Sequence, residues 1–274
     1  MGAGSRAPRA SGSRPSGQHF LRSALIAAEL VRDAHILPTD DVLEIGAGSG
    51  RLTAPLADRA RTVTAVELDP VLIEALRERF DGRTNVRIVG GDVLRIPSPG
   101  GPWRAFGNIP FSVTTPILRR LLDDPSGGLQ RADLLIQFEA ARKRATSYPA
   151  TLLSLGWLPW WEFSSPRRIP RSGFEPPPAV DAAVLVVTRR AQPLLPSSIR
   201  PAYVDLLRTA FDHGSWPVRR SLRAVVPPLT WKRLARERGL SLDARPPDLD
   251  VWDWVALYSV LRTPAPVDPA PHRR

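Results

Sequence analysis

Residues 41–69, DVLEIGAGSGRLTAPLADRARTVTAVELD, decide the fold class of this chain of 274 residues. Residues 41–46, with Val42, Leu43 and Ile45, are typical of a buried strand, and residues 62–68 are rich in the β-branched side chains that strands favour. Between them, residues 50–60 place apolar side chains at helical spacing. Because parallel neighbouring strands need a crossover connection, the stretch predicts a strand–helix–strand unit of a parallel sheet.

The same alternation continues along the first two thirds of the chain. We predict further strands at 85–92, 104–109, 132–138 and 182–187, and helices at 70–80 and near 114–123. From Pro196 onward the segments have helical patterns only. The sequence therefore predicts an α/β fold, with helices on both faces of a mostly parallel sheet, followed by a small all-α domain.

Both ends of the chain have a biased composition. Residues 1–17 consist mainly of Gly, Ser, Arg, Pro and Ala without periodicity, and the tail is rich in proline. We therefore predict four regions. They are a disordered basic arm at 1–17, an α/β domain at 18–195, a helical domain at 196–262 and a disordered tail at 263–274.

The formal net charge of +11 indicates a polyanionic partner, RNA or DNA. Of the 38 basic residues 36 are arginines, since Lys143 and Lys232 are the only lysines. A GC-rich coding sequence explains the preference for arginine over lysine, but it does not explain the excess of positive charge. Within the helical domain we expect Arg219 and Arg220 to contact RNA phosphates, which position a complex without reading its sequence.

Several function classes are disfavoured by the composition. With no cysteine and four histidines outside any paired motif, we expect neither a disulfide framework nor a metal site. No apolar run approaches the ~18 residues of a membrane span, and the N-terminal stretch lacks the apolar centre of a signal peptide. We expect a cytoplasmic protein without a membrane partner.

Polar or glycine residues stand at the ends of four successive predicted strands. The turn after the first strand contains Gly46 and Gly48, and Glu67, Asp92 and Asn108 follow at the later strand ends. Ligands of such sheets bind outside the carboxyl ends of the strands, where glycine permits close backbone approach. A carboxylate at the second strand can accept ribose hydroxyls, and one at the third can accept an adenine amino group. This order is typical of S-adenosylmethionine sites.

The tip of the fourth strand, Asn108-Ile109-Pro110-Phe111, can activate an exocyclic amine. The lone pair of an adenine amino group is delocalised into the ring, which makes it a poor nucleophile. If the Asn108 side-chain oxygen and a carbonyl near Ile109–Pro110 each accept one N–H, the lone pair is localised and aimed. Phe111 can stack on a base drawn out of its helix, and proline fixes the turn.

The motifs together resemble those of the rRNA adenine N6-methyltransferases, and most closely the Erm branch, which methylates 23S rRNA and confers macrolide–lincosamide–streptogramin B resistance. They are GQHFL (17–21), EIGAGSGRLT (44–53), VELD (66–69), GD (91–92), NIPF (108–111) and RSGFEPPPAVDAAV (171–184). The resemblance covers residues 17–262 and implies a Rossmann-like class I methyltransferase sheet with a small helical RNA-binding domain.

The resemblance also implies roles for individual residues, with S-adenosylmethionine as cofactor. The cofactor site would contain His19, Leu21, Gly46, Gly48, Glu67, Leu68, Asp92, Val93 and Asn108. Asn108, Ile109, Pro110 and Phe111 would hold the target base, with Phe174 stacked on its other face. The family usually has Asn at the position of His19 and Tyr at that of Phe111. Ile109 favours Erm, because the small-subunit enzymes usually have Leu there.

Four hypotheses remain open from the sequence. They are an Erm-type enzyme acting on 23S rRNA before ribosome assembly is complete, a 16S rRNA dimethyltransferase, a DNA adenine methyltransferase, and a nucleic-acid-binding factor without catalysis. The DNA enzymes usually have Asp/Asn-Pro-Pro-Tyr. The presence of Glu67, Asp92, Asn108 and Phe111 favours catalysis over a binding factor. We expect a monomer, and the motifs fit addition of either one methyl group or two.

Overall fold

The computed structural model describes residues 19–146 and 150–262, so the predicted arm and tail lie outside the described residues. The strands are β1 (Phe20–Leu21), β2 (Asp41–Ile45), β3 (Thr62–Glu67), β4 (Val86–Gly90), β5 (Trp103–Asn108), β6 (Leu129–Gln137), β7 (Trp161–Ile169), β8 (Phe174–Glu175) and β9 (Ala182–Arg189). The α-helices are α1 (Ala24–Asp33), α2 (Thr53–Ala57), α3 (Pro70–Arg79), α4 (Thr114–Leu122), α5 (Phe138–Ala145), α6 (Leu152–Leu155), α7 (Arg200–Phe211), α8 (Val218–Ser221), α9 (Pro228–Glu237) and α10 (Val251–Arg262).

One large sheet organises the first part of the chain. Its order is β4-β3-β2-β5-β6-β9-β7, and β1 pairs separately with β8. Strands β4, β3, β2, β5 and β6 run parallel, while β9 runs antiparallel between β6 and β7. Side chains alternate between two core clusters, as Ala105 and Phe106 on β5 illustrate, so both faces are covered. The predicted α/β fold class is confirmed.

Strand β7 was not predicted from the sequence. Its segment, WEFSSPRRI, contains Pro166, and a proline lowers the expectation of a strand because it cannot donate to the ladder. The structure places β7 at the edge of the sheet, where one side needs no partner. Its pairing with β9 shifts register between Ser164 and Arg167, on either side of the proline.

Local sequence signals fix where helices begin near the predicted site. Asp69 precedes α3, and its Oδ1 accepts a hydrogen bond from the Val71 amide at 2.9 Å. Pro70 occupies the first turn, where its missing N–H costs nothing. Ser23 caps α1 in the same way, accepting from the Leu25 amide at 3.1 Å. These caps hold the chain just after Glu67 and just after β1.

The helices after β9 share a core with the sheet. Trp157, Trp160 and Trp161 are fully buried in the chain segment before β7 and at its start. The Trp160 ring meets the Tyr203 ring of α7 edge-on, with centroids 6.0 Å apart. Between Pro196 and Arg262 the described residues form helices and loops only. Because the core is continuous, a domain boundary at residue 196 stays a prediction.

Parallel pairing brings the strand ends to one edge with little room between them. Ile45 of β2 pairs with both Val66 of β3 and Gly107 of β5. A Cβ at Gly107 would lie 2.5 Å from the Ile45 carbonyl oxygen. Only glycine therefore allows β5 to deliver Asn108 beside β2.

We predict that Gly107→Ala lowers the free energy of unfolding by about 1–3 kcal/mol, because the added methyl group meets rigid backbone. Urea titration monitored by tryptophan fluorescence measures this change. Gly100→Ala is the matched control, since a Cβ there has no neighbour within 4 Å, and it should stay within about 0.5 kcal/mol of the parent. Equal stability of the two variants would contradict the packing argument.

Candidate active site

A cleft opens at the carboxyl edge of the parallel strands. Its lining consists of His19, Phe20, Gly46, Gly48, Glu67, Asn108, Ile109, Pro110, Phe111 and Phe174. These residues come together because β2, β3 and β5 are parallel, so that their carboxyl ends lie at the same edge of the sheet. Most of the residues predicted from the motifs therefore lie around one space.

The remaining predicted cofactor residues lie outside this lining. Leu21 is buried in the core, whereas Leu68 is largely exposed just after Glu67. The Asp92 carboxylate accepts from the Leu94 amide at 2.9 Å and is partly exposed. Val93 is half-buried and packs against the core. Leu68 and Asp92 thus follow the ends of β3 and β4, and their contribution to a cofactor site stays a prediction.

Glu67 ties the glycine-rich turn to the end of β3. Its Oε2 accepts from the Gly48 amide at 2.7 Å, and its Oε1 accepts from the Leu68 and Asp69 amides at 2.8 and 3.0 Å. A carboxylate has about four acceptor positions, so one position on Oε2 is left for a ligand. Gly46 and Gly48 have φ of +71° and +57°, which glycine adopts without strain.

Asn108 is held in one orientation by a backbone carbonyl. Its Nδ2 donates to the His19 carbonyl oxygen at 2.6 Å. A carbonyl only accepts hydrogen bonds, so the amide must present its NH₂ group to His19 and its Oδ1 in the other direction. Oδ1 has no hydrogen-bond partner among the described residues. The side chain therefore offers a fixed acceptor in the cleft.

The segment that holds Asn108 is a short two-strand ribbon, which we call the strap (residues 19–21 and 174–176). Phe20 pairs with Glu175, and Leu21 with Phe174. The His19 Nδ1 donates to the Pro176 carbonyl oxygen at 2.8 Å. A Cβ at Gly48 would lie 2.8 Å from the Phe20 ring, so the strap rests directly on the glycine-rich turn.

The residues around the NIPF tip differ in exposure. Ile109 is buried in the core, Pro110 is exposed, and Phe111 is half-buried at the mouth of the cleft. The Phe111 ring centroid lies 6.3 Å from that of His19. Phe174 is 1% exposed, so its ring forms a wall of the cleft. Phe111 is therefore the more accessible of the two rings, and stacking of a base on Phe174 stays a prediction.

The two arginines predicted to contact RNA lie far along the chain, in α8, and have different surroundings. Arg219 donates to the Asp243 carboxylate, with 2.7 Å between Nε and Oδ1. The Arg220 guanidinium instead lies over the Trp216 ring, 3.8 Å from its centroid. The two residues are equivalent in sequence but not in structure.

Glu44 is a residue of the glycine-rich motif to which we assigned no role from the sequence. Its side chain is completely buried, and neither carboxyl oxygen has a hydrogen-bond partner in the described residues. Burial raises the pKa of this carboxyl to about 8, and the neighbouring Glu67 acts in the same direction. The nearby Thr53 opposes the effect of burial and lowers the pKa, with a larger influence than Glu67, although no contact to it meets hydrogen-bond geometry.

The described residues contain no group of three or more His, Cys, Asp or Glu side chains arranged to hold a metal ion. Among the helices in the described part of the chain, none has the length and apolar character needed to cross a bilayer. The cleft itself is lined by amide, carboxylate and aromatic side chains and by glycine backbone.

A family model described as ribosomal RNA adenine dimethylase matches residues 11–261. The chain belongs to this family. It is 34% identical to the mycinamicin-resistance protein MyrB of Micromonospora griseorubida, over 93% of this chain and 81% of that protein. It is also 34% identical to the ribosomal RNA small subunit methyltransferase A of Synechococcus sp. (strain RCC307), over 90% of this chain and 94% of that protein.

The crystal structure of the 23S rRNA methyltransferase ErmE has the same fold. The TM-score is 0.80 at 31% sequence identity, over 89% of this chain and 100% of that chain. Membership of the family makes this protein an S-adenosylmethionine-dependent rRNA adenine N6-methyltransferase. The resemblance seen in the motifs and the Rossmann-like class I fold are confirmed.

We predict that Asn108→Asp lowers the single-turnover rate of rRNA methylation about 10- to 100-fold. The aspartate carboxylate can still accept a hydrogen bond from the substrate, but it cannot donate one to His19. One carboxylate oxygen would then face the His19 carbonyl oxygen, and the two acceptors would repel each other. Quench-flow methylation with excess enzyme measures the rate. Phe111→Tyr, which keeps the ring, is the control and should stay within about threefold of the parent. A full rate in Asn108→Asp would show that the amide NH₂ group is dispensable.

We predict that Glu44→Gln becomes progressively more stable than the parent as pH rises. Folding favours the protonated acid, because the folded pKa of about 8 exceeds the ordinary 4.5. The contribution of Glu44 to the free energy of unfolding is therefore fully present below pH 4.5, and it is lost as the pH rises towards 8. The stability difference should grow by on the order of 1 kcal/mol per pH unit across that window. Urea titrations at several pH values test this, with exposed Glu78→Gln as control, and parallel curves would contradict it.

Proposed function

We propose that this protein transfers a methyl group from S-adenosylmethionine to N6 of one adenine in 23S rRNA. Resistance to macrolide, lincosamide and streptogramin B antibiotics would follow. The likeness to ErmE and to a protein named for mycinamicin resistance supports this choice. Ile109 in the NIPF motif supports it independently. Catalysis is supported above all by the fixed Asn108 amide, whose Oδ1 is free in the cleft.

The residues of the cleft fit S-adenosylmethionine. When bound, this cofactor supplies an electrophilic methyl group. Gly46 and Gly48 allow the backbone to approach its methionine end, and His19 lies across the same cleft. Glu67 keeps one acceptor position on Oε2 for a ribose hydroxyl. Asp92 and Leu68 follow neighbouring strand ends on the side where the adenine ring would lie.

Asn108 acts on the target amine through its oxygen. Oδ1 accepts one N–H of the adenine amino group, which turns the nitrogen lone pair out of conjugation. The amide can do this without rotating, because its Nδ2 is already bound to His19. Pre-set acceptors of this kind cost no reorganisation during the reaction. The proton leaves the product amine afterwards to solvent, so no strong base is required.

Phe111 would hold the base while this happens. Its ring stands half-buried beside the Pro110 turn, at the mouth of the cleft. Stacking on one aromatic ring is worth about 1–3 kcal/mol per base. Phe174, which already lines the cleft, would bound the pocket on its other side while the His19 carbonyl keeps its place.

A second candidate function is dimethylation of the small-subunit rRNA. The relative from Synechococcus supports it, because its identity to this chain equals that of MyrB. The same cleft chemistry would serve either RNA, so the choice depends on substrate recognition outside the cleft. We further propose that the enzyme is a cytoplasmic monomer that acts before ribosome assembly is complete.

Primer extension distinguishes these functions in a macrolide-sensitive host that expresses this chain. We predict a strong stop at one adenine of 23S rRNA and a raised inhibitory concentration of a macrolide. Both should be absent with Asn108→Ala, since the acceptor is lost. Adjacent stops in 16S rRNA would favour the second candidate. No modification of either RNA, checked by mass spectrometry for monomethyladenine, would contradict both.

A further inference from the structure

An aromatic ring is stacked between a histidine and an arginine in the segment from the end of α7 to α8. The His213 and Trp216 ring centroids are 4.2 Å apart, with an angle of 30° between the planes. The Arg220 guanidinium carbon lies 3.8 Å from the Trp216 centroid. Two groups this close to one ring centre would collide on a shared face. They therefore cover opposite faces of the indole.

Backbone hydrogen bonds hold the three side chains in this order. The Trp216 amide donates to the His213 carbonyl at 2.9 Å, and the Arg220 amide donates to the Pro217 carbonyl at 2.8 Å. His213 and Arg220 are exposed, and Trp216 is half-buried between them. The stack is thus a preformed feature of the surface.

Arg220 differs from its neighbour in having no acidic partner. Arg219 is engaged by Asp243 through both Nε and Nη2, at 2.7 and 2.6 Å. In the ranges that the structure describes, neither Arg220 nor the exposed Arg223 forms an ion pair. Stacking therefore orders the Arg220 guanidinium without neutralising it.

We propose that His213, Trp216 and Arg220 form a clamp for one phosphate group of the RNA backbone. This inference rests on the proposed function, because it requires an RNA substrate. The free edge of a guanidinium donates two parallel hydrogen bonds to a phosphate, and stacking on an indole reduces the ordering cost of that contact. His213 adds a ring N–H donor on the other side of the indole.

The stack is suited to phosphate rather than to an unpaired base. A base needs a free aromatic face, and both faces of Trp216 are covered. Phosphate contacts carry no sequence information, so the clamp would position the rRNA while the cleft selects the adenine. The clamp also gives the two neighbouring arginines different roles. Arg220 would contact the RNA, whereas Arg219 forms a structural ion pair.

Equilibrium binding of a 23S rRNA transcript that spans the methylated region tests the clamp. Fluorescence anisotropy at several salt concentrations gives both the affinity and its salt dependence. We expect Arg220→Gln to lower affinity about fivefold and to reduce the slope of log K against log salt by about 1. The matched control, Arg219→Gln, should stay within about twofold with an unchanged slope. Equal effects of the two variants would overturn the proposal.

A double-mutant cycle tests the positioning role of Trp216. Trp216→Leu should weaken RNA binding about threefold in the parent but clearly less in the Arg220→Gln background, where only the His213 contact is left to lose. Trp216→Tyr retains a stacking ring and should restore most of the affinity. Additive losses would mean that Trp216 acts on stability alone, which would overturn its role in the clamp.

The same experiment separates the clamp from the proposed function. If the parent protein binds and methylates the transcript while Arg220→Gln equals Arg219→Gln, only the clamp is wrong. If the parent binds no rRNA, the proposed function and the clamp are both wrong. Binding of S-adenosylmethionine, measured by calorimetry, should be unchanged in all of these variants, because the substituted residues lie outside the cleft.

Discussion

The hydrogen bond from Asn108 Nδ2 to the His19 carbonyl joins the two parts of the active site. Asn108 ends a central strand of the large sheet, and His19 begins the strap that covers the glycine-rich turn. Because the carbonyl can only accept, this one contact decides which way the amide faces and leaves Oδ1 for the substrate. Gly107 is needed to bring Asn108 to this position. Because glycine has no Cβ, β5 can lie close enough to β2 for the side chain of Asn108 to reach the cleft. In the proposed mechanism, catalysis depends on the pre-set orientation of this amide rather than on an unusually strong base.

Much of the cleft could be predicted from the sequence, because parallel strands end at one edge and each strand end is visible in the hydrophobic pattern. Gly46, Glu67 and Asn108 belong to that predictable part. The His19 carbonyl could not be predicted, since every residue has a carbonyl and only the fold selects one. The lack of a hydrogen-bond partner for the buried Glu44 could not be predicted either, because the sequence does not show which groups surround a side chain inside a buried strand. The division of roles between Arg219 and Arg220 needed the positions of Asp243 and Trp216.

The fold itself was predictable wherever periodicity was strong. Strands β2 to β6 and β9 have apolar or β-branched runs, and the bounds differ from expectation by a few residues at most. Strand β7 lacked this signal because Pro166 interrupts an edge strand. The strap could not be predicted from hydrophobic periodicity, because a strand of two residues is too short to show one. Its paired residues, such as Leu21 and Phe174, are also far apart in the chain. Long-range pairing of short segments is fixed by the surrounding core and by contacts such as Phe20 against Gly48.

A crystal structure of the protein with an unreactive S-adenosylmethionine analogue and adenosine would test the central claim most directly. We expect Asn108 Nδ2 to stay on the His19 carbonyl and Oδ1 to accept a hydrogen bond from adenine N6, within about 3.2 Å. Phe111 should lie against the base. An amide that has left the His19 carbonyl, or an N6 group bound elsewhere in the cleft, would contradict the mechanism.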